Sequence, residues 1–336
     1  MTRPYTPPFT ITAAIVSLIA EISQGIGRLS VLAEAAKSLR LRRISRIRTI
    51  QGSLAIEGNT LTIEQITAIL EGKRVIAPPR EIVEVRNAIK AYNLFEAWTP
   101  FSKADLLAAH NTLMTGLLDV PGKFRDGGVG VMAGERVIHL APPAERVPAL
   151  MSDLLHWLQN TDQHPLLASS VFHYEFEFIH PFEDGNGRIG RLWQTLTLSK
   201  WNPLFANIPV ESLVHEHQQE YYDSINKSTE NAESSIFIEF MLRMILEAVT
   251  SIVTPEVAPE VTPEVRKMLS VLSGEMTRRN LQQKLGLLDE KHFRESYLQP
   301  AIAAGLMEMT IPDKPNSRLQ KYRLTSKGAA FIGTGQ

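Results

Sequence analysis

Apolar residues return every three or four positions through most of residues 10–248. Leu39, Ile44, Ile47, Ile50 and Leu54 form one such series, and Met151, Leu154, Leu155 and Leu158 another. That spacing predicts amphipathic helices and a mainly α fold. The apolar run at residues 11–20 has the length of a signal-peptide core. However, the charged region before it is thin, Pro4, Pro7 and Pro8 crowd it, and Glu21 follows at once. It reads instead as a helix capped by Thr10 or Thr12. One stretch breaks the helical period. Gly127-Gly128 open it, Val129, Val131, Val137 and Ile138 fill it, Gly134 divides it, and Pro142-Pro143 end it. Two short β-runs about a glycine predict a hairpin at 127–143. A lone hairpin is marginal in water, so it needs a surface or a ligand to lie on.

At 254–265 the pattern changes again. Thr-Pro-Glu-Val and Ala-Pro-Glu-Val repeat with proline at every fourth position. Such a run cannot continue a helix and acts as an extended spacer, placed at about 251–261, with Thr262 and Pro263 able to start the next helix. Beyond it the order is helix (264–272), helix (277–285), a turn at Gly286, helix (289–304), then β-like runs at 306–311 and 320–324. That is the order of a winged helix-turn-helix. Charge shifts at the same place. Residues 262–336 carry a net +5 and the remainder a net −6.

Composition narrows the chemistry. The chain has 336 residues, 44% hydrophobic, with a net charge of −1, so it does not bind polyanions by bulk charge. It has no cysteine, which excludes disulfides, thiolate metal sites and cysteine nucleophiles. No apolar run reaches transmembrane length. A soluble, cytoplasmic protein is expected, with no membrane partner.

The densest chemistry lies in His180-Pro-Phe-Glu-Asp-Gly-Asn-Gly-Arg-Ile-Gly-Arg191. An apolar helix over 166–179 should stop at Pro181 and leave His180 at a helix-to-loop junction, with Phe182 buried as the anchor. Gly185, Asn186 and Gly187 permit a tight turn that presents backbone N–H groups. The helix that follows adds its positive end, which completes a phosphate cradle. Arg188 and Arg191 share one face of that helix and can clamp phosphate oxygens. Asp184 suits a magnesium ion. His180 can accept a proton from a hydroxyl.

The same string resembles the signature of Fic-domain proteins at every defining position. The resemblance extends over about residues 40–250. The Phe124-Arg-Asp-Gly-Gly128 segment and its Pro-Pro exit resemble the Fic flap, which aligns a target peptide. Tyr221 and Tyr222 resemble a family pair near the adenine. The resemblance implies a Fic-type helical core at 96–250 with a β-hairpin flap, and transfer of AMP from ATP to a Ser, Thr or Tyr hydroxyl of a protein. His180 would then be the base, and Asp184 would hold Mg2+. The 185–187 turn and Arg188 would hold phosphates, and Arg191 would pair with the γ-phosphate. Tyr222 would lie at the nucleotide.

Upstream, Ser53 and Glu57 are four apart on one helix face, and Gly58-Asn59 can end that helix in a left-handed cap. In the Fic setting this string resembles an inhibitory motif. It lies on a helix at about 44–58 within an N-terminal region, 1–95. Glu57 would take the γ-phosphate's place on Arg191. The nearby Arg40, Arg42, Arg43, Arg46 and Arg48 read as a solvated or ion-paired face. His110, His139, His173, His215 and His217 suggest no metal set.

Three functions stay open: an autoinhibited adenylyltransferase, a de-AMPylase in which Glu57 positions water, and a DNA-binding regulator. The last would use Arg278, Arg279, Lys291 and Arg294, with Lys314 and Arg318 on the wing. Expected partners are a target protein along the 127–143 hairpin, the chain itself through self-AMPylation, and DNA or protein at the tail. A homodimer is left open.

Overall fold

The computed structural model describes residues 5–35, 39–128, 130–133, 136–253, 262–287, 289–311, 317, 319–325 and 328–329. Two compact units divide the chain, residues 1–254 and 255–336.

Among the described residues, the regular structure of the first unit is helical apart from one hairpin. Its elements are α1 (Ala13–Ala35), α2 (Leu39–Ile56), α3 (Ile63–Leu70), α4 (Pro79–Leu94) and α5 (Lys103–Met114), then β1 (Gly130–Ala133) and β2 (Arg136–Leu140). They continue with α6 (Val147–Asn160), α7 (Pro165–Ile179), α8 (Asn186–Trp201), α9 (Val210–Glu216), α10 (Gln218–Glu230) and α11 (Ser235–Val253). Among the described residues no helix is long and apolar enough to cross a membrane. Thr12, rather than Thr10, caps the first helix, its hydroxyl accepting the Ile15 amide at 3.1 Å.

The core forms around α7 and α8, whose side chains are buried on nearly all sides. Phe172, Phe176, Ile189, Leu192, Trp193 and Leu196 are each fully buried. A helix buried all round belongs in the middle of a bundle, and its polar side chains must then find partners there. The helical series read at 44–54 buries Ile47, Ile50 and Leu54. Helix α2 meets α9 closely at Gly52. A Cβ on Gly52 would lie 2.6 Å from the Ser212 nitrogen and 2.7 Å from the Glu211 oxygen. The Ser212 hydroxyl donates to the Arg48 carbonyl at 3.0 Å across the same seam. On the basic face, Arg43 pairs with Glu71 at 2.8 Å and Arg46 donates to Asn93 at 3.3 Å.

Strands β1 and β2 pair antiparallel from Gly130↔Leu140 to Ala133↔Arg136, with an irregularity between Val131 and Met132. Ahead of β1, the Arg125 guanidinium donates to the Gly127 carbonyl at 2.8 Å. Residues 129, 134 and 135 lie outside the described residues.

The second unit has its own core, built on Val265, Met268, Leu269, Leu281, Phe293, Leu298 and Leu306. Its elements are α12 (Pro263–Val271), β3 (Met276–Thr277), α13 (Arg278–Lys284), α14 (Glu290–Phe293), α15 (Gln299–Ala303), β4 (Met307–Met309) and β5 (Lys321–Leu324). The strands form one antiparallel sheet in the order β3-β5-β4. Two features differ from the sequence reading. The short strand β3 precedes α13, paired as Met276↔Tyr322 and Thr277↔Lys321. The helix expected at 289–304 contains a π-helical turn, Arg294–Leu298. Pro300, which has no amide hydrogen and crowds the carbonyl one turn back, accounts for the widened turn. The spacer at 254–261, Lys314 and Arg318 fall outside the described residues.

Candidate active site

Helix α7 stops where Pro181 cannot continue it, and His180 closes it in the left-handed region at φ 50°. Phe182, fully buried, holds the loop down by stacking on the His110 ring at 3.7 Å and 4°. The Gly122 amide donates to His110 Nδ1 at 2.8 Å, so the ring proton sits on Nε2. That nitrogen donates to the Asp184 carbonyl at 3.0 Å. Burial lowers the His110 pKa to about 4, which keeps this neutral tautomer in place. Asn186 closes the loop as a clasp. Its carbonyl oxygen accepts the Phe182 amide and its NH2 donates to the Phe182 carbonyl, both at 2.9 Å. Only its backbone amide is left for a ligand.

Gly185 lies at φ 84°, and a Cβ there would meet Met114 Sδ at 2.7 Å, so the position requires glycine. From Asn186 onward α8 presents first-turn amides that have no acceptor within the helix. Three cations converge on this end. Arg188, buried, donates to Asp184 at 3.1 Å and lies 3.5 Å from Glu84. Arg80 donates to the other Asp184 oxygen at 3.3 Å. Arg191, 2% exposed, sits one turn further along.

Arg191 is held entirely by the end of α2. Its Nη2 donates to Glu57 Oε1 at 2.6 Å and to the Ser53 carbonyl at 3.0 Å, and its Nε donates to the Ser53 hydroxyl at 3.2 Å. Ser53 and Glu57 thus act together, as their shared helix face allows. The helix end is fixed on both sides. Gly58 turns it at φ 87°, Asn59 donates to Glu84 at 2.8 Å, and Gln218 donates to the Ile56 carbonyl at 2.9 Å. Gly187 leaves room for the Glu57 carboxylate, which a Cβ at that position would strike.

Of the tyrosine pair, Tyr221 is buried and donates to His173 Nε2 at 3.1 Å. Tyr222 is half-buried beside Gln218, whose NH2 reaches its hydroxyl at 3.4 Å. Sequence reasoning passed over Arg80, Glu84 and Glu177, named His110 only to set it aside as a metal ligand, and placed Arg125 in the flap segment without a role of its own. Arg125 is the most connected of these. It is 7% exposed, and its guanidinium donates to the carbonyls of His180 (2.7 Å), Gly127 (2.8 Å), Pro142 (2.5 Å) and Ile179 (3.3 Å). It therefore ties both ends of the hairpin segment to the His180 loop. Arg125→Ala is expected to lower unfolding stability by about 3 kcal/mol, since charged hydrogen bonds contribute about 1.5–3 each and are not additive. Urea unfolding of the two chains checks this. Lysine should recover little, because one ammonium cannot reach carbonyls spread across a planar fork.

Among the described residues no group of three or more His, Asp or Glu side chains is placed to hold a metal ion. Asp184, with its side chain 39% exposed, offers a single carboxylate beside the helix end. That donor set fits a magnesium ion held jointly with phosphate oxygens.

A helix end opened by a glycine turn, backed by arginines and preceded by a histidine, defines an anion-binding loop. The Fic/DOC family model matches residues 100–198, and a model described as the C-terminal domain of Fic-like proteins (filamentation induced by cAMP) matches 263–325. The crystal structure of a Fic family protein from Desulfovibrio desulfuricans G20 is 53% identical over 96% of this chain and 99% of that one, with a TM-score of 0.73. The chain belongs to the Fic family. The Protein adenylyltransferase Fic of Culex quinquefasciatus is 32% identical over 213 residues, and that of Nematostella vectensis 28% over 205. The aligned stretches cover 60% and 58% of this chain but only 40% and 45% of those relatives. Fic-1 from C. elegans, 23% identical with a TM-score of 0.56, shares the fold.

Proposed function

We propose that this chain is an autoinhibited protein adenylyltransferase that moves AMP from ATP to a Ser, Thr or Tyr hydroxyl of a protein and releases pyrophosphate. The observation that supports it most is the buried Arg191, one turn inside an anion-binding helix end, occupied by a carboxylate from another helix. A guanidinium so placed is built for an oxyanion, and Glu57 stands in its place. The adenylyltransferase names of the relatives supply the nucleotide.

In this reading residues 96–250 are the catalytic core and 1–95 carry the inhibitory helix. The turn at Gly185 to Gly187 and the first-turn amides of α8 hold the α- and β-phosphates with Arg188. Arg191 holds the γ-phosphate once Glu57 has left, and Tyr222 borders the nucleotide. Asp184, whose two oxygens accept from Arg80 and Arg188, would hold Mg2+, which when bound offsets phosphate charge. His180 takes the proton of the target hydroxyl, whose oxygen attacks the α-phosphorus. The bond to the β-phosphate oxygen breaks and pyrophosphate leaves. The protein's contribution is placement and fixed charge. The target strand docks along the 127–143 hairpin by main-chain pairing, and the chain itself is one such target. The expected setting is the cytoplasm. ATP labelled at the α-phosphate should transfer label to protein while γ-labelled ATP does not; transfer from the γ position would refute the reading.

One observation favours the reverse reaction as a second reading. Glu57 spends Oε1 on Arg191, its side chain is 29% exposed, and Oε2 accepts no hydrogen bond among the described residues. That oxygen could orient a water for removal of AMP.

The tail is read as a winged helix, and its cations bear on DNA binding. Arg278 pairs with Glu290, Arg294 with Glu295 at 3.3 Å, and Arg323 with Glu308 at 2.7 Å. With its own core, 262–336 is expected to melt cooperatively in isolation. It should bind duplex DNA weakly, with affinity falling steeply between 50 and 200 mM salt, as about tens of micromolar or weaker binding implies. An unfolded isolated segment would overturn the boundary, and tight sequence-specific binding would favour a regulator.

A further inference from the structure

Glu177 is a buried carboxylic acid that the mechanism above does not use. It lies on the last turn of α7, 8% exposed. Its Oε1 is fully enclosed and accepts no hydrogen bond among the described residues. Native proteins rarely leave a buried carboxyl oxygen unmatched, and such an atom calls for a functional explanation. Its surroundings supply one. Oε2 lies 4.0 Å from His180 Nδ1, and Oε1 lies 3.8 Å from His173 Nε2. A Cβ on Gly190 would come within 2.7 Å of Oε1, so α8 is kept bare to make room for this group.

The charged and titratable groups facing Glu177 come from four elements. His173 and His180 share its helix or stand at its end. Arg191 faces it from α8, Glu57 from the end of α2, and Tyr221 and Tyr222 from α10. His173 is not its cation. Burial pushes that ring down to about 3, and its Nε2 already accepts from Tyr221. Arg191 is committed to Glu57. His180 faces the other Glu177 oxygen, Oε2. Its Nδ1 edge faces the Glu177 backbone carbonyl at 3.4 Å and the carboxyl at 4.0 Å. A ring so oriented turns Nε2 the other way. Hydrogen bonds of a base are commonly long before substrate arrives.

We propose that Glu177 is a positioning residue for His180: its carboxyl holds the imidazole by the Nδ1 edge, and when ionised it supplies the negative charge that makes Nε2 a stronger base. The inference rests on the adenylyltransferase reading, in which His180 is the base. Burial, with Glu57 adding to it and Arg191 opposing, raises the Glu177 carboxyl to about 8. The group is therefore neutral at pH 7 and becomes ionised as pH rises past that value. With ATP bound, the γ-phosphate replaces Glu57 as the second anion near Arg191, so the ionisation stays on the alkaline side. A negative charge 4 Å from an imidazole favours its protonated form. Proton abstraction should therefore accelerate above pH 7, as Glu177 ionises.

The test measures kcat for AMP transfer from pH 6 to 9.5 in Glu57→Gly and in Glu57→Gln, each with and without Glu177→Gln. Glutamine keeps the shape and neutrality of the resting carboxyl, so a merely structural role predicts no change. The expected result is a rise of about tenfold between pH 7 and 9, lost with Glu177→Gln while KM for ATP is unchanged. An unaltered profile overturns the proposal, and so does a uniform loss at all pH values accompanied by a lower Tm. A second arm needs no activity. In the full-length wild-type chain, an NMR titration of the 13C-labelled His180 ring should show an inflection as Glu177 ionises above pH 7, absent in Glu177→Gln. If Glu57→Gly transfers no AMP, the function reading fails by itself. The ring titration then decides the Glu177–His180 coupling, and identical curves refute it.

Discussion

Glu57→Gly is expected to transfer AMP to itself about tenfold to a thousandfold faster than the wild-type chain. In the resting structure Glu57 occupies Arg191 at 2.6 Å, in a site where the guanidinium is 2% exposed. A charge-assisted pair of this kind, partly shielded from water, is stronger than its surface counterpart. Shifting a few kcal/mol from Glu57 to the substrate's γ-phosphate converts to that range of rates. The Ser53 contacts at 3.0 and 3.2 Å remain in the variant, so the guanidinium should stay aimed into the loop rather than collapse. Glu57→Gln separates charge from flexibility. It keeps the side chain and removes the ion pair, and it should release a large part of the activity. Arg191→Ala should be inactive with or without Glu57, because the proposed inhibitor and substrate would need the same guanidinium. The measurement is intact-protein mass spectrometry after incubation with ATP and Mg2+. No mass gain of AMP in Glu57→Gly, on itself or on any lysate protein, would sink the autoinhibition argument. Loss of AMP removal from a modified protein in the same variant would point to the reverse reaction.

His180→Ala should reduce transfer by about a hundredfold to ten-thousandfold, the usual range for a general base. It should do so in the Glu57→Gly background as well, since release of inhibition cannot supply a missing proton acceptor. ATP affinity should change little, because the proposed phosphate contacts come from α8 and its arginines. Backbone conformation complicates the alanine variant. His180 sits at φ 50°, where alanine carries strain and asparagine carries much less. His180→Asn therefore serves as the partner variant. Both should be inactive, and the asparagine variant should melt closer to wild type. If either labels itself at the released rate, His180 is not the base.

The helical fold was legible because its evidence is periodic. The spacing of Ile47, Ile50 and Leu54 marks a buried stripe wherever the chain goes next. The 180–191 loop was legible for a different reason. Proline, glycine and asparagine act on their own backbone, and the left-handed turn at Gly185 and the clasp at Asn186 are local events. What stayed hidden depends on residues distant in sequence. Arg125 looks like any loop arginine until four carbonyls from three segments converge on it. Glu177 looks like a polar interruption in an apolar helix. Its meaning comes from Gly190 and Arg191 on the facing helix. His110 sits 74 residues before the Asp184 carbonyl that it supports. The pairing of Glu57 with Arg191 spans 134 residues, and no local pattern encodes it; the resemblance alone raised it. Strand β3, two residues long, and the π-helical turn before Pro300 fall below what periodicity can register.

The crossing at Gly52 has a kinetic consequence. Backbone lies against backbone at that point, which pins α2 against α9 there. Moving the helix would require opening the domain, an event of microseconds or slower. Glu57 lies past the last helical residue and needs only rotations about its own side-chain bonds, on the picosecond-to-nanosecond scale when such groups are exposed. The on and off states can therefore share one main chain. The switch would reside in a few torsion angles, and its two settings would be hard to tell apart by backbone superposition.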